Sequence, residues 1–85
     1  MDNDLHKDLS ILIDQALNLQ GRGLKLVADS RLAGALPELD SMGVLNLINA
    51  LETQFGVEFD DQEIDEAVFR TLGTLSDFLV AKLHR

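Results

Sequence analysis

Ser41 follows Asp40 at the opening of an apolar-periodic stretch, and no other residue in the chain has as much chemical opportunity. It can serve as a nucleophile, as an attachment point or as a helix cap. A nucleophilic serine needs a general base, usually histidine, oriented by a third group. The histidines here are His6 and His84, near opposite chain ends, where side chains are mostly solvated. Ser41 also lacks the glycine-flanked elbow of serine hydrolases. No catalytic residue is expected, and the chain reads as a non-enzyme. Attachment is chemically better supported. The first N–H groups of a helix have no internal partner, and the macrodipole leaves partial positive charge there. A phosphate carried by a serine at that point is held favourably. As a dipeptide alone, Asp40-Ser41 is better explained as an N-cap, where Asp and Ser are favoured and need no further role.

Other chemistries find little support. The chain contains no cysteine, which excludes disulfides, thiolate metal sites and a catalytic thiol. The acidic run Asp60-Asp61-Gln62-Glu63 with Asp65-Glu66 lacks the spacing, central glycine and closing glutamate of a calcium-binding loop, so no metal site is expected.

The elements that must position Ser41 follow from periodicity. Leu5, Leu9, Leu12, Ile13, Ala16 and Leu17 fall on one face and predict a first helix over Asp2–Gln20, capped by Asp2 or Asn3 and stopped by Gly21 and Gly23. Arg22 to Asp40 has no sustained period and reads as a long loop, pinned to the core by Leu32, Leu36 and Leu39. Leu24–Val27 alternates briefly but has no evident pairing partner. Ser41 to Phe55 is the second helix, with Val44, Leu47, Ile48, Leu51 and Phe55 facing the core and Gly56 ending it. Met42, Leu45 and Asn49 lie on a neighbouring face. Either they widen the core face or they form an exposed contact patch. Asp60 to Glu66 predicts a short third helix anchored by Ile64. Thr71 then caps a last helix marked by Leu72, Leu75, Phe78, Leu79 and Leu83. The expectation is an all-α, four-helix bundle with a long first loop and a short third helix.

Its 85 residues make one domain, 1–85, burying somewhat over ~60% of its unfolded surface. A net charge of −8 argues against nucleic acid and anionic membrane surfaces and favours basic protein partners. The charge is uneven. No Lys or Arg occurs between Arg31 and Arg70, a span that holds Glu38, Asp40, Glu52, Glu58, Asp60, Asp61, Glu63, Asp65 and Glu66. The acidity therefore belongs to the serine-bearing half. No signal peptide or membrane-spanning stretch is evident, so a cytoplasmic monomer is expected.

The segment Leu39-Asp40-Ser41-Met42, then Leu47-Ile48-x-Ala50-Leu51-Glu52-x-x-Phe55, then Glu58-Phe59 and Asp61, resembles the acyl carrier protein family. The similarity covers roughly Leu36 to Leu83, and the helix count and long first loop agree over the whole chain. The resemblance implies a four-helix carrier in which 4′-phosphopantetheine, donated by coenzyme A through a phosphopantetheinyl transferase, esterifies Ser41. The thiol of that arm carries an acyl group as a thioester, in fatty acid, polyketide or exopolysaccharide biosynthesis. Loading ligases and acyl-transfer enzymes are the implied further partners, and docking on the second helix is expected through Asp40, Met42, Leu45 and Glu52.

Several residues depart from the pattern. Gly43 stands where fatty-acid carriers often have Asp, Asn46 where they have Glu, and Asn49 where they often have Met. The recognition helix is thus less acidic and less apolar, which implies different partners. Asp40-Ser41-Met42-Gly43 with Gln54-Phe55-Gly56-Val57 also looks like D-alanyl carriers, whereas Phe69-x-Thr71-Leu72-Gly73-x-Leu75 looks like exosortase-associated carriers. Asp before the serine argues against a peptide-synthetase module. An acyl carrier is therefore the leading reading. Its rivals are an aminoacyl carrier loaded by an adenylating ligase and an acidic helical adaptor without a prosthetic group.

Overall fold

A computed structural model describes residues 2–84, except for the side chains of residues 2, 3 and 61. The expected caps Asp2 and Asn3 lie outside the described side chains. Among the described residues there are three α-helices: α1 (Asp2–Leu17), α2 (Ser41–Phe55) and α3 (Leu72–Leu83). Two 3₁₀ turns, Arg22–Lys25 and Asp61–Glu63, lie in the connections. The expected four-helix count is thereby corrected to three. The stretch 60–66 supplies only one apolar anchor, Ile64, which is half-buried. Nucleating an α-helix costs more than so short a segment recovers by burial, and the segment stops at one 3₁₀ turn.

The first helix also ends earlier than expected. Asn18 takes a left-handed φ of 55°, and Gln20 one of 56°. Leu19 N–H donates to Asp14 O at 2.9 Å and Asn18 N–H to Gln15 O at 3.4 Å. This is a Schellman closure with asparagine in the left-handed position usually taken by glycine. It swings Leu19 inward, where it is fully buried. Gly21 and Gly23 act after the helix has already stopped.

α2 has the expected bounds. Asp40 is its N-cap, accepting from Gly43 N–H at 2.8 Å, and Gly56 (φ 66°) closes it by donating to Glu52 O at 2.9 Å. At α3, Thr71 and Thr74 form a capping box: each side chain accepts the other's backbone N–H, at 3.1 and 3.0 Å.

The core joins Leu9, Ile13 and Leu17 of α1 to Leu47, Ile48 and Leu51 of α2 and Leu72, Leu75 and Leu79 of α3. Leu19, Leu32 and Phe69 complete it from the connections, with Leu36 and Leu39 packed at its edge. α1 packs against both other helices. It runs antiparallel to α2: Leu17 lies against Gly43 at one end, while Asp8, Ile11, Leu12 and Gln15 share a cleft with Gln54 at the other.

The long connection is held by backbone pairing that the sequence pattern does not reveal. Leu32 N–H donates to Arg70 O, Ala33 N–H to Phe69 O, Leu72 N–H to Ser30 O and Gly73 N–H to Ala28 O, all at 2.9–3.0 Å. An antiparallel bridge, Arg31 to Thr71, lies at the centre of this pairing. Leu24–Val27 stays outside it, and no β-strand forms among the described residues. No described helix is long and apolar enough to cross a membrane.

Candidate functional site

The start of α2 is built from its neighbours outward. Gly43 is buried in the first turn. A Cβ there would meet the Glu38 carbonyl oxygen at 2.1 Å and Leu17 Cδ2 at 3.2 Å. Glycine therefore lets the 36–39 turn sit against the helix. Leu39 N–H donates to Leu36 O at 3.0 Å within that turn. Asp40 then takes an extended conformation (φ −97°, ψ −166°) and caps inward, so its carboxylate is occupied by Gly43 N–H.

Ser41 is the first residue of α2 and is exposed. Its hydroxyl makes no hydrogen bond among the described residues, and the N–H groups of Ser41 and Met42 find no protein acceptor there. These are the features a serine-linked phosphodiester requires: a free hydroxyl, open N–H donors and the positive end of a helix dipole. Asp40, the residue before it, has turned its carboxylate onto Gly43 N–H.

Neither histidine is placed to act as a base for Ser41. His84 is the C-cap of α3, two residues after Lys82, which packs on Phe59 and Glu63 beyond the opposite end of α2 from Ser41. His6 lies eleven residues before Leu17 along α1, about 16 Å up the axis from the end of that helix near Gly43.

The expected docking residues divide into two kinds. Met42 and Leu45 are 65% and 53% exposed, which decides between the two readings of that face. They belong to an exposed apolar strip, not to the core. Asp40 is exposed beside them. Glu52, at the far end of the helix, is half-buried, and its Oε2 accepts Phe59 N–H at 2.9 Å. It thus ties α2 to the segment that follows. There Glu52, Glu58 and Asp60 line an open cavity of about 440 Å³ with Thr53, Val57 and Phe59.

Periodicity did not single out Asp14, Arg22 or Glu38, which organise the approach to this site. Asp14 Oδ1 accepts from Gly21 N–H at 2.8 Å and Gly23 N–H at 3.0 Å. Arg22 pairs with the Glu38 carboxylate. The sequence signal for the first was an Asp towards the C-terminal end of a helix, where the macrodipole disfavours it, ahead of a Gly-x-Gly turn.

A family model described as the phosphopantetheine attachment site matches residues 28–79, a span that includes the whole of α2. The chain is also similar to the holo acyl carrier protein from Nitrosomonas europaea, solved in solution by NMR. The two share 42% identity over 94% of this chain and 96% of that one, with a TM-score of 0.87. No curated protein sequence matches the chain. The chain therefore belongs to the acyl carrier protein family, whose members are carriers with covalently attached 4′-phosphopantetheine and not enzymes.

Proposed function

We propose that this protein is a discrete acyl carrier in which Ser41 holds the phosphopantetheine arm. The observation that carries the assignment is the exposed Ser41 hydroxyl at the opening of α2, beside unpaired backbone N–H groups and inside the matched segment. The arm supplies the thiol that a cysteine-free chain lacks, and the acyl group rides on it as a thioester. The residues of the chain bind and orient. Asp40 secures the helix start, and Gly43 seats it. Asp40, Met42, Leu45 and Glu52 present the carrier to a phosphopantetheinyl transferase, a loading ligase and acyl-transfer enzymes. Residues 1–85 act as one carrier domain, a cytoplasmic monomer whose acidic half takes protein partners and not nucleic acid.

The preference for acyl over aminoacyl cargo rests on the apolar character of the region beyond α2. Phe55, Phe59 and Ile64 pack against the core only partly buried, a layer with which an alkyl chain is compatible. Each sheltered methylene contributes about 0.8 kcal/mol at most, less the work of parting the helices. The ammonium of an aminoacyl group is costly to bury and stays in solvent. Thermal melting of the Ser41 conjugate loaded with acetyl, hexanoyl, octanoyl and D-alanyl groups tests this. Melting temperature is expected to climb from acetyl to octanoyl and to stay level with D-alanyl. A flat series together with efficient loading by an amino-acid-activating ligase would establish the aminoacyl carrier instead.

A further inference from the structure

Both ends of the long first connection meet beside α2. At its beginning, the two bonds from Gly21 and Gly23 to Asp14 fold the 3₁₀ turn back onto α1. Gly23 sits so close that a Cβ would lie 2.7 Å from Asp14 Cβ. Arg22 is then fixed twice to the Schellman turn, its backbone N–H donating to Leu19 O at 3.2 Å and its Nε to the same oxygen at 3.1 Å. What remains of the guanidinium reaches across the connection, and Nη2 donates to Glu38 Oε2. Oε1 of Glu38 is buried and has no partner among the described residues. Glu38, three residues before Ser41, in turn lays its carbonyl against Gly43. A continuous path thus runs from Asp14 through Arg22, Glu38 and Gly43 to the start of α2.

We infer that Arg22 is a positioning residue for the reaction at Ser41, acting through Glu38 and Gly43. The inference rests on the reading of Ser41 as the attachment site. In that reaction the Ser41 oxygen forms a bond to the phosphorus nearest the pantetheine of coenzyme A. The pyrophosphate P–O bond breaks, adenosine 3′,5′-bisphosphate leaves, and the serine proton passes to the transferase or to water. The serine side chain has no hydrogen bond of its own to orient it, so its direction is set by the backbone of the turn before it. That turn is held by half-buried Leu36 and Leu39, by the contact with Gly43 and by the Arg22 clamp. Releasing the clamp lets the first turn of α2 move, and a misplacement of about 1 Å can cost on the order of a hundredfold in rate. Arg22 itself is 56% exposed, and pairs so exposed contribute little to global stability. A rate effect without a stability effect is therefore the signature of this role.

The test uses the full chain with coenzyme A and a broad-specificity phosphopantetheinyl transferase, at a temperature where circular dichroism shows every variant folded. Arg22→Ala is expected to lower kcat about tenfold, with KM changed less than about twofold and the melting temperature nearly level. The swap Arg22→Glu with Glu38→Arg is expected to restore kcat to within about threefold of the parent. An unchanged kcat in Arg22→Ala, a loss carried by KM alone, or no rescue by the swap would overturn the inference. Failure of the parent chain to be modified would instead remove the attachment reading. In that case amide exchange on the unmodified protein decides the clamp itself. Gly43 and Val44, whose N–H groups bond to Asp40, are expected to exchange faster in Arg22→Ala, and equal exchange would overturn the clamp.

Discussion

The ammonium of Lys82 lies 2.7 Å from Oε1 of Glu63, joining the last turn of α3 to the 3₁₀ turn at Asp61–Glu63. The rings of Phe59 and Phe78 flank it, with centroids 5.4 and 5.5 Å away, and stand 5.5 Å from each other. The lysine side chain is only 6% exposed. The same Glu63 oxygen accepts Asp60 N–H at 3.0 Å. A basic residue from outside the acidic span thus secures the connection between α2 and α3. Lys82→Ala removes the charge, the stem packing and the ring contacts together, and is expected to cost about 2–4 kcal/mol. Lys82→Met keeps the stem and is expected to cost less. Urea unfolding of both variants checks this, and a loss of under about 0.5 kcal/mol in Lys82→Ala would contradict it.

Glu52 carries a structural bond as well as a charge, so reversing the charge would confound its two roles. Glu52→Gln keeps a carbonyl oxygen for Phe59 N–H while removing the charge. Its melting temperature is expected to stay near the parent's, and acyl transfer to a partner enzyme is expected to slow, more at low salt than at high. Salt-independent transfer would remove Glu52 from the docking surface.

Met42 and Leu45 make the cleaner test of that surface. Both are exposed, so Met42→Ala and Leu45→Ala are expected to change stability by less than about 0.5 kcal/mol. Each is expected to weaken partner docking, measured as a rise in KM for the carrier as substrate. Unchanged KM values in both variants would place docking elsewhere.

The Arg22 guanidinium, and secondarily Glu38's own backbone N–H, hold the Glu38 carboxyl below the ordinary glutamate value. Because the pKa is lowered in the folded state, the stabilisation is present above the unfolded value and is lost as pH falls through the folded one. The difference in melting temperature between the parent and Glu38→Gln is therefore expected to be level near neutrality and to close as pH falls below 4.5. A difference that widens toward acid would contradict the ion pair. The exposed position of Arg22 keeps the effect small.

What the sequence discloses depends on whether a residue acts locally. The bounds of α2 and the cap at Thr71 were legible because capping and left-handed closure are short-range chemistry. Leu32, read with Leu36 and Leu39 as an anchor of the long loop, is fully buried. The end of α1 was misplaced because two glycines outweighed Asn18, which reaches the same left-handed backbone less often. Phe69, not among the residues that periodicity assigned to a core face, is 3% exposed, since pairing with the first connection turns it inward. At the site, Ser41 and its cap stood out from spacing. Asp14, Arg22 and Glu38 did not, because their partners lie far along the chain and only the folded connection brings them together. Gly43, seen in the sequence as a missing acid, is a steric requirement of the Glu38 carbonyl.

Attachment of the arm at Ser41 is tested most directly by mass. The full chain is co-expressed with a broad-specificity phosphopantetheinyl transferase, and its intact mass is compared with that of Ser41→Ala. One phosphopantetheine addition on the parent and none on the variant is the predicted result. An unmodified parent, or an addition that persists in Ser41→Ala on Ser10, Ser30 or Ser76, would contradict it.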